Sequence, residues 1–217
     1  SNYKYVFKDG GIAMPAVISV TRTIIGTIVG IVCTSMVAYT LSRRDFVLRK
    51  PFQLLFVITM YVSGGMIPEY LLIIRTLKLG NNFMVYILPG LMWVYNMILV
   101  RSYIDGLPMA LQEAAKLDGA NDFQIWYKVV MPLCKPAWLT LIIIMFQNIW
   151  GMTHSNYIYS EALKPLPYAL QQITTGGYIR AGAAQAVGVI MLIIPAAVFI
   201  INQSNILETM ASSGIKE

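Results

Sequence analysis

The sequence predicts an all-α integral membrane protein: a helical bundle of five spans within 217 residues, with a polar helix–turn–helix segment at 101–135. Three observations carry this. First, 57% of residues are apolar, only 12% are charged and the mean hydropathy is +0.64, outside the range of ordinary soluble domains. Second, charge-free runs cover 23–42, 51–68, 79–100, 136–160 and 181–207, each at or near the roughly 20 residues a membrane-crossing helix needs. Third, these runs have no polar face, which a soluble amphipathic helix would keep.

Taken in order, residues 1–14 set Tyr3, Tyr5 and Phe7 among charges and read as an interfacial segment. In the first run, Gly26 and Gly30 have the spacing that permits close helix–helix contact, although small residues also occur in spans without such a role. Four of the sixteen basic residues, Arg43, Arg44, Arg49 and Lys50, follow this run closely. That clustering marks a connector on the cytoplasmic side, and accounts for much of the net charge of +6 without nucleic acid. The second run ends in Gly64-Gly65 and Pro68, which should break a helix where protein or water covers the freed backbone. Glu69 just beyond is either an external surface charge, the reading its position favours, or a pathway charge. Pro89-Gly90 predicts a kink in the third run, followed by Tyr95 and Asn96.

The segment 101–135 interrupts the apolar pattern with Asp105, Glu113, Lys116, Asp118, Asp122 and Lys128. Pro108 suits a helix start and residues 109–117 are good helix formers. Gly119 permits the left-handed turn that ends this helix, and Asp122 can cap a second one running to Met131, before Pro132. The fourth run carries Gln147, Asn148 and Trp150, then Thr153, His154, Ser155 and Asn156. Polar groups at such depth usually face a bundle interior or cavity. His154 is the sole histidine and lacks a metal or relay partner. The connector 161–172, with Pro165 and Pro167, is external, and the last run contains Pro195. Cys33 and Cys134 are isolated thiols without metal-ligand spacing, and read as packing residues.

Glu113-Ala114-Ala115, three residues, Gly119, nine residues, Val129, then Met131-Pro132 resembles the EAA signature of permease subunits in bacterial ABC importers. Val129 and Met131 stand where that family has Ile and Leu. Further segments, 40–43, 63–71, 87–90, 157–159 and 213–216, are similar to carbohydrate-uptake permeases, in particular the oligosaccharide branch of the maltose-transporter-like family. That branch typically has Trp-Asn where this chain has Trp150-Gly151.

The resemblance implies a multi-pass subunit of the bacterial cytoplasmic membrane, working with a second permease subunit, two ATP-binding subunits and an extracellular solute-binding protein. The chain itself would be no enzyme and hold no cofactor, with ATP and Mg on the partner ATPase. Residues 1–217 would form a single transmembrane domain, with six spans expected in the full chain and the first lying before residue 1. Glu113, Ala114, Ala115, Asp118 and Gly119 would form the ATPase-coupling site. Tyr95, Asn96, Gln147, Asn148 and Trp150 are candidate substrate-pathway residues, since sugar sites combine aromatic faces with hydrogen-bonding side chains. Helix–helix hydrogen bonding is the competing role for these five.

Nothing in the sequence provides a phosphate-cradling G-x-x-x-x-G-K-[ST] loop, a CxxC pair or an H-E-x-x-H site. Charges within the runs, which an ion-coupled carrier needs, are nearly missing, so uphill transport would draw energy from elsewhere. A different class stays open: a membrane scaffold whose polar hairpin docks a partner without moving solute. It would bury only small or apolar residues between spans.

Overall fold

A computed structural model describes residues 12–153, 156–175 and 181–214, which are mostly helical and contain no strand. The interfacial segment before Ile12, together with His154, Ser155 and the end of the 213–216 segment, lies outside the described residues. The helices are α1 (Ala13–Ser42), α2 (Arg49–Tyr61), α3 (Met66–Leu71), α4 (Val94–Asp105), α5 (Met109–Leu117), α6 (Asp122–Ile125), α7 (Met131–Leu133), α8 (Lys135–Gly151), α9 (Leu166–Thr175) and α10 (Ala181–Gly214). Within α1 and α10 lie two stretches long and apolar enough to cross a membrane, and the number rises to five if each of three bent helix pairs counts as one span.

The breaks fall where the backbone chemistry requires them. Gly65, at φ +83°, separates α2 from α3, a conformation that costs other residues a clash with their own Cβ. The third run departs from a single kinked span. Short 3₁₀ turns, Phe83–Tyr86 and Leu88–Gly90, occupy its first half, and α4 begins only at Val94. Asn82 starts this stretch by accepting a hydrogen bond from the Met84 amide. Pro132 does not stop the helix before it, because a π turn over Trp126–Val130 leads directly into α7. The sharp change comes two residues later, at Cys134.

The chain divides into two compact units. The first comprises the described residues up to Thr27, with Gly64–Pro89 and Ile143–Ser204; the second comprises Ile28–Ser63, Gly90–Ile142 and Asn205 onward. In the first unit one core gathers Ile12, Trp150, Leu166, Ala186 and Val187, and another gathers Ile18, Ile73, Val85, Tyr86, Tyr157 and Ile158. Of the two readings left open for Gly26 the close contact holds, since a Cβ there would lie 3.0 Å from Ile149 Cδ1. In the second unit Met97, Val100, Ile125, Val130 and Leu141 are fully buried. Conversely, α2 and α3 bury no residue, and Leu192 and Ile201 of α10 are more than two-thirds exposed. Apolar surface of this extent needs lipid or another subunit to cover it.

Candidate functional site

The hairpin of α5 and α6 is built almost entirely by local hydrogen bonds. The Gly119 amide donates to Lys116 O at 3.1 Å and the Ala120 amide to Ala115 O at 3.0 Å. Together they close a Schellman turn around Gly119, whose φ is +84°. Asn121, not Asp122, then caps α6: its Oδ1 accepts from the Gln124 amide at 2.8 Å, while Gln124 Oε1 accepts from the Asn121 amide at 3.0 Å. This is a reciprocal capping box, legible in the sequence as Asn-x-x-Gln. Asp122 instead points its carboxylate at Arg43, 3.4 Å away.

Glu113, Ala114, Asp118 and Gly119 are exposed and Ala115 is half-buried. Beside them Leu117 is 89% exposed and Phe123 60% exposed, two apolar side chains that sequence reasoning passed over. A cleft of about 300 Å³ lies between this hairpin and the connector after α1, lined by Arg43, Arg44, Asp45, Met109, Gln112, Glu113 and Lys116. The hydrogen bond from Arg43 holds the Asp45 carboxyl below the usual carboxylate range.

The five candidate pathway residues fall in both units. In the second, Tyr95 is 60% exposed, whereas Asn96 is wholly buried with neither its amide nitrogen nor its oxygen hydrogen-bonded. In the first, Gln147 and Asn148 are exposed near the end of α8, and Asn148 Nδ2 donates to Ile144 O at 2.9 Å. Trp150 is buried, its ring stacked on Phe146 at 5.9 Å and its Nε1 donating to Met191 O at 3.1 Å. Glu69 lies on the exposed surface. Near it, a cleft of about 480 Å³ is lined by Met66, Ile67, Tyr70, Leu71, Asn156 and Tyr157. There the Tyr70 and Tyr157 rings are 5.8 Å apart and the Tyr70 hydroxyl is 3.1 Å from that of Tyr159.

Arg22 corrects the expectation that charge within the spans is nearly missing. This arginine bounds the first run at Thr23, but α1 begins ten residues before Thr23, at Ala13, and Arg22 is wholly buried. Its Nη2 donates to Trp150 O at 3.4 Å and Met152 O at 2.5 Å, and its guanidinium lies 5.0 Å from the Tyr86 ring centroid. The cation therefore sits at the C-terminal end of α8, where the helix dipole is negative. One turn earlier Ser19 Oγ accepts from the Leu166 amide at 2.7 Å. These two residues tie the end of α8, the 3₁₀ turn at Tyr86 and the start of α9 to α1.

The model of the family described as binding-protein-dependent transport system inner membrane component matches residues 23–208. The polygalacturonan/rhamnogalacturonan transport system permease protein YtcP of Bacillus subtilis (strain 168) is 38% identical over 173 residues, 79% of this chain and 60% of that protein. Protein LplC of the same organism is 33% identical over 174 residues, 79% of this chain and 59% of that protein. This chain thus spans about three-fifths of the length of these relatives. Among solved structures, a bacterial ABC transporter involved in the import of the acidic polysaccharide alginate superposes with a TM-score of 0.78 at 29% identity, over 94% of this chain and 78% of that chain.

Proposed function

Because this chain belongs to the family of binding-protein-dependent transport system inner membrane components, we propose that it is the permease subunit of an ABC importer that moves a sugar or oligosaccharide into a bacterial cell. The observation that carries this is the hairpin: a locally capped helix–turn–helix with Glu113, Leu117, Asp118 and Phe123 exposed. Such a knob fits a groove on an ATP-binding subunit, where Glu113 makes polar contacts, Ala114 and Ala115 allow close approach and Leu117 and Phe123 bury apolar surface. A second permease subunit covers the unpartnered faces of α2 and α3, two ATP-binding subunits hold ATP and Mg, and a solute-binding protein delivers substrate from outside. Rigid movement of the docked hairpin then switches access to a path between two bistable arrangements of the bundle. The names of the matched relatives support a carbohydrate substrate.

Each unit brings its own candidate path residues: exposed Gln147 and Asn148 in the first, and in the second exposed Tyr95 with Asn96, a buried amide still lacking hydrogen bonds. Trp150 supports the end of α8 that carries Gln147 and Asn148. Asn148→Leu should therefore lower or redirect sugar uptake by the co-purified complex, with assembly and ATPase activity intact. Trp150→Leu should instead reduce the amount of assembled complex. Unchanged uptake by Asn148→Leu would remove this residue from the path, and capture of the chain without any ATP-binding subunit would favour a scaffold over a permease.

A further inference from the structure

We propose that Arg43 is a positioning residue for energy coupling: it clamps the connector after α1 to both helices of the hairpin, so that the two move as one body and carry displacement directly into α1. This rests on the permease reading above and adds a second component to the docking element. Arg43 grips Asp45 with a two-pronged contact, Nε to Oδ1 at 3.1 Å and Nη2 to Oδ2 at 2.9 Å. The same Nη2 lies 3.4 Å from Asp122 Oδ1, on α6. Asp45 Oδ2 in turn lies 3.6 Å from Lys116 Nζ, on α5. Arg43 Nη1 donates to the Tyr39 hydroxyl at 3.4 Å, anchoring the guanidinium to the last turn of α1.

Exposed ion pairs taken singly contribute little, and Asp45, Lys116 and Asp122 are all well exposed. Arg43 differs, because its side chain is only 13% exposed and holds a forked carboxylate within a network. A single screened pair could not transmit force, whereas a hub tied to α1, α5 and α6 removes the relative freedom of all three. Arg43, Asp45 and Lys116 of this network also line the cleft between the hairpin and the connector.

The test uses the assembled complex in proteoliposomes. Arg43→Gln and Asp45→Asn should each lower sugar taken up per ATP hydrolysed by about tenfold, with the chain still assembled, since forked charge-assisted contacts are the strong ones. Asp45 is exposed and its amide analogue keeps the side-chain shape, so it guards against a folding defect in the arginine variant. Arg43→Lys, which keeps charge but not the fork, should fall between. The readout a merely structural role would not move is a distance. Spin labels at Val47→Cys and Lys128→Cys, both exposed, are placed in a background with Cys33 and Cys134 replaced by alanine. Their separation should stay constant between nucleotide-free and ATP-bound complexes, and should change with nucleotide in Asp45→Asn. A wild-type separation that itself changes with nucleotide, or normal coupling in both Arg43→Gln and Asp45→Asn, would overturn the clamp. If Glu113→Lys uncouples while those two do not, only the clamp fails. If Glu113→Lys also couples normally, the docking reading fails with it.

Discussion

Replacing Gly119 with proline is expected to abolish sugar uptake while ATP hydrolysis by the complex continues at its basal rate. Gly119 holds φ +84°, whereas a proline ring fixes φ near −65°. The substitution also removes the amide that donates to Lys116 O, so the Schellman turn cannot close. Since α5 and α6 owe their relative direction to that turn, the hairpin loses its shape. Glu113→Lys reaches the same end by another route, reversing an exposed charge with the local turn intact. Coupling between two sites typically amounts to roughly 1–3 kcal/mol, or about 5–150-fold, and uptake should fall within that range for Glu113→Lys and further for Gly119→Pro. Both variants should remain in the membrane, because neither residue contributes to the buried cores. Normal uptake at normal expression in both would exclude the hairpin from coupling.

Arg22→Ala should cause the second large effect, on stability instead of coupling. The guanidinium satisfies two carbonyls at the end of α8 and lies over Tyr86. Its removal strands those acceptors, at about 1–3 kcal/mol for a buried group left unpaired, and opens a cavity between segments far apart in the chain. Against this, Arg22 Nε and Nη1 are themselves buried without hydrogen-bond partners, an energetic cost that the substitution relieves. A net loss of about 3 kcal/mol is expected, lowering the thermal unfolding midpoint by about 10 °C for a chain of this size. Arg22→Lys should recover part of it by restoring a cation at the helix end. An unchanged midpoint in Arg22→Ala would show that the carbonyls find other donors and that Arg22 does not fasten the end of α8 to α1.

The helical class was legible because apolar runs free of charge leave little else to build in a membrane. The hairpin was legible because Pro108, Gly119 and the intervening helix formers each act locally. Arg22 was hidden by the same rule that found the spans. A charge ends an apolar run on paper, yet a guanidinium can lie inside a helical segment when another helix presents its terminal carbonyls. Its partners are some 130 residues away, beyond any local pattern. Asn121 was overlooked in favour of Asp122, although Gln124 marked the former as the cap. Trp150 was grouped with Asn148, but residues two apart on a helix lie on nearly opposite sides; Gln147 and Asn148 are exposed while Ile149 and Trp150 are buried. Arg43 showed its charge in the sequence but not its contacts, because Asp122 reaches it, and Lys116 reaches its partner Asp45, only through the folded hairpin.

The most direct test is uptake itself, measured as entry of labelled oligosaccharide into proteoliposomes containing the complex co-purified on this chain. The account predicts that the complex contains a second membrane subunit and ATP-binding subunits, and that entry requires both ATP and the solute-binding protein. It also predicts that Glu113→Lys separates hydrolysis from entry. Entry that persists without ATP, or a complex that hydrolyses ATP and binds the solute-binding protein but admits no sugar, would contradict it.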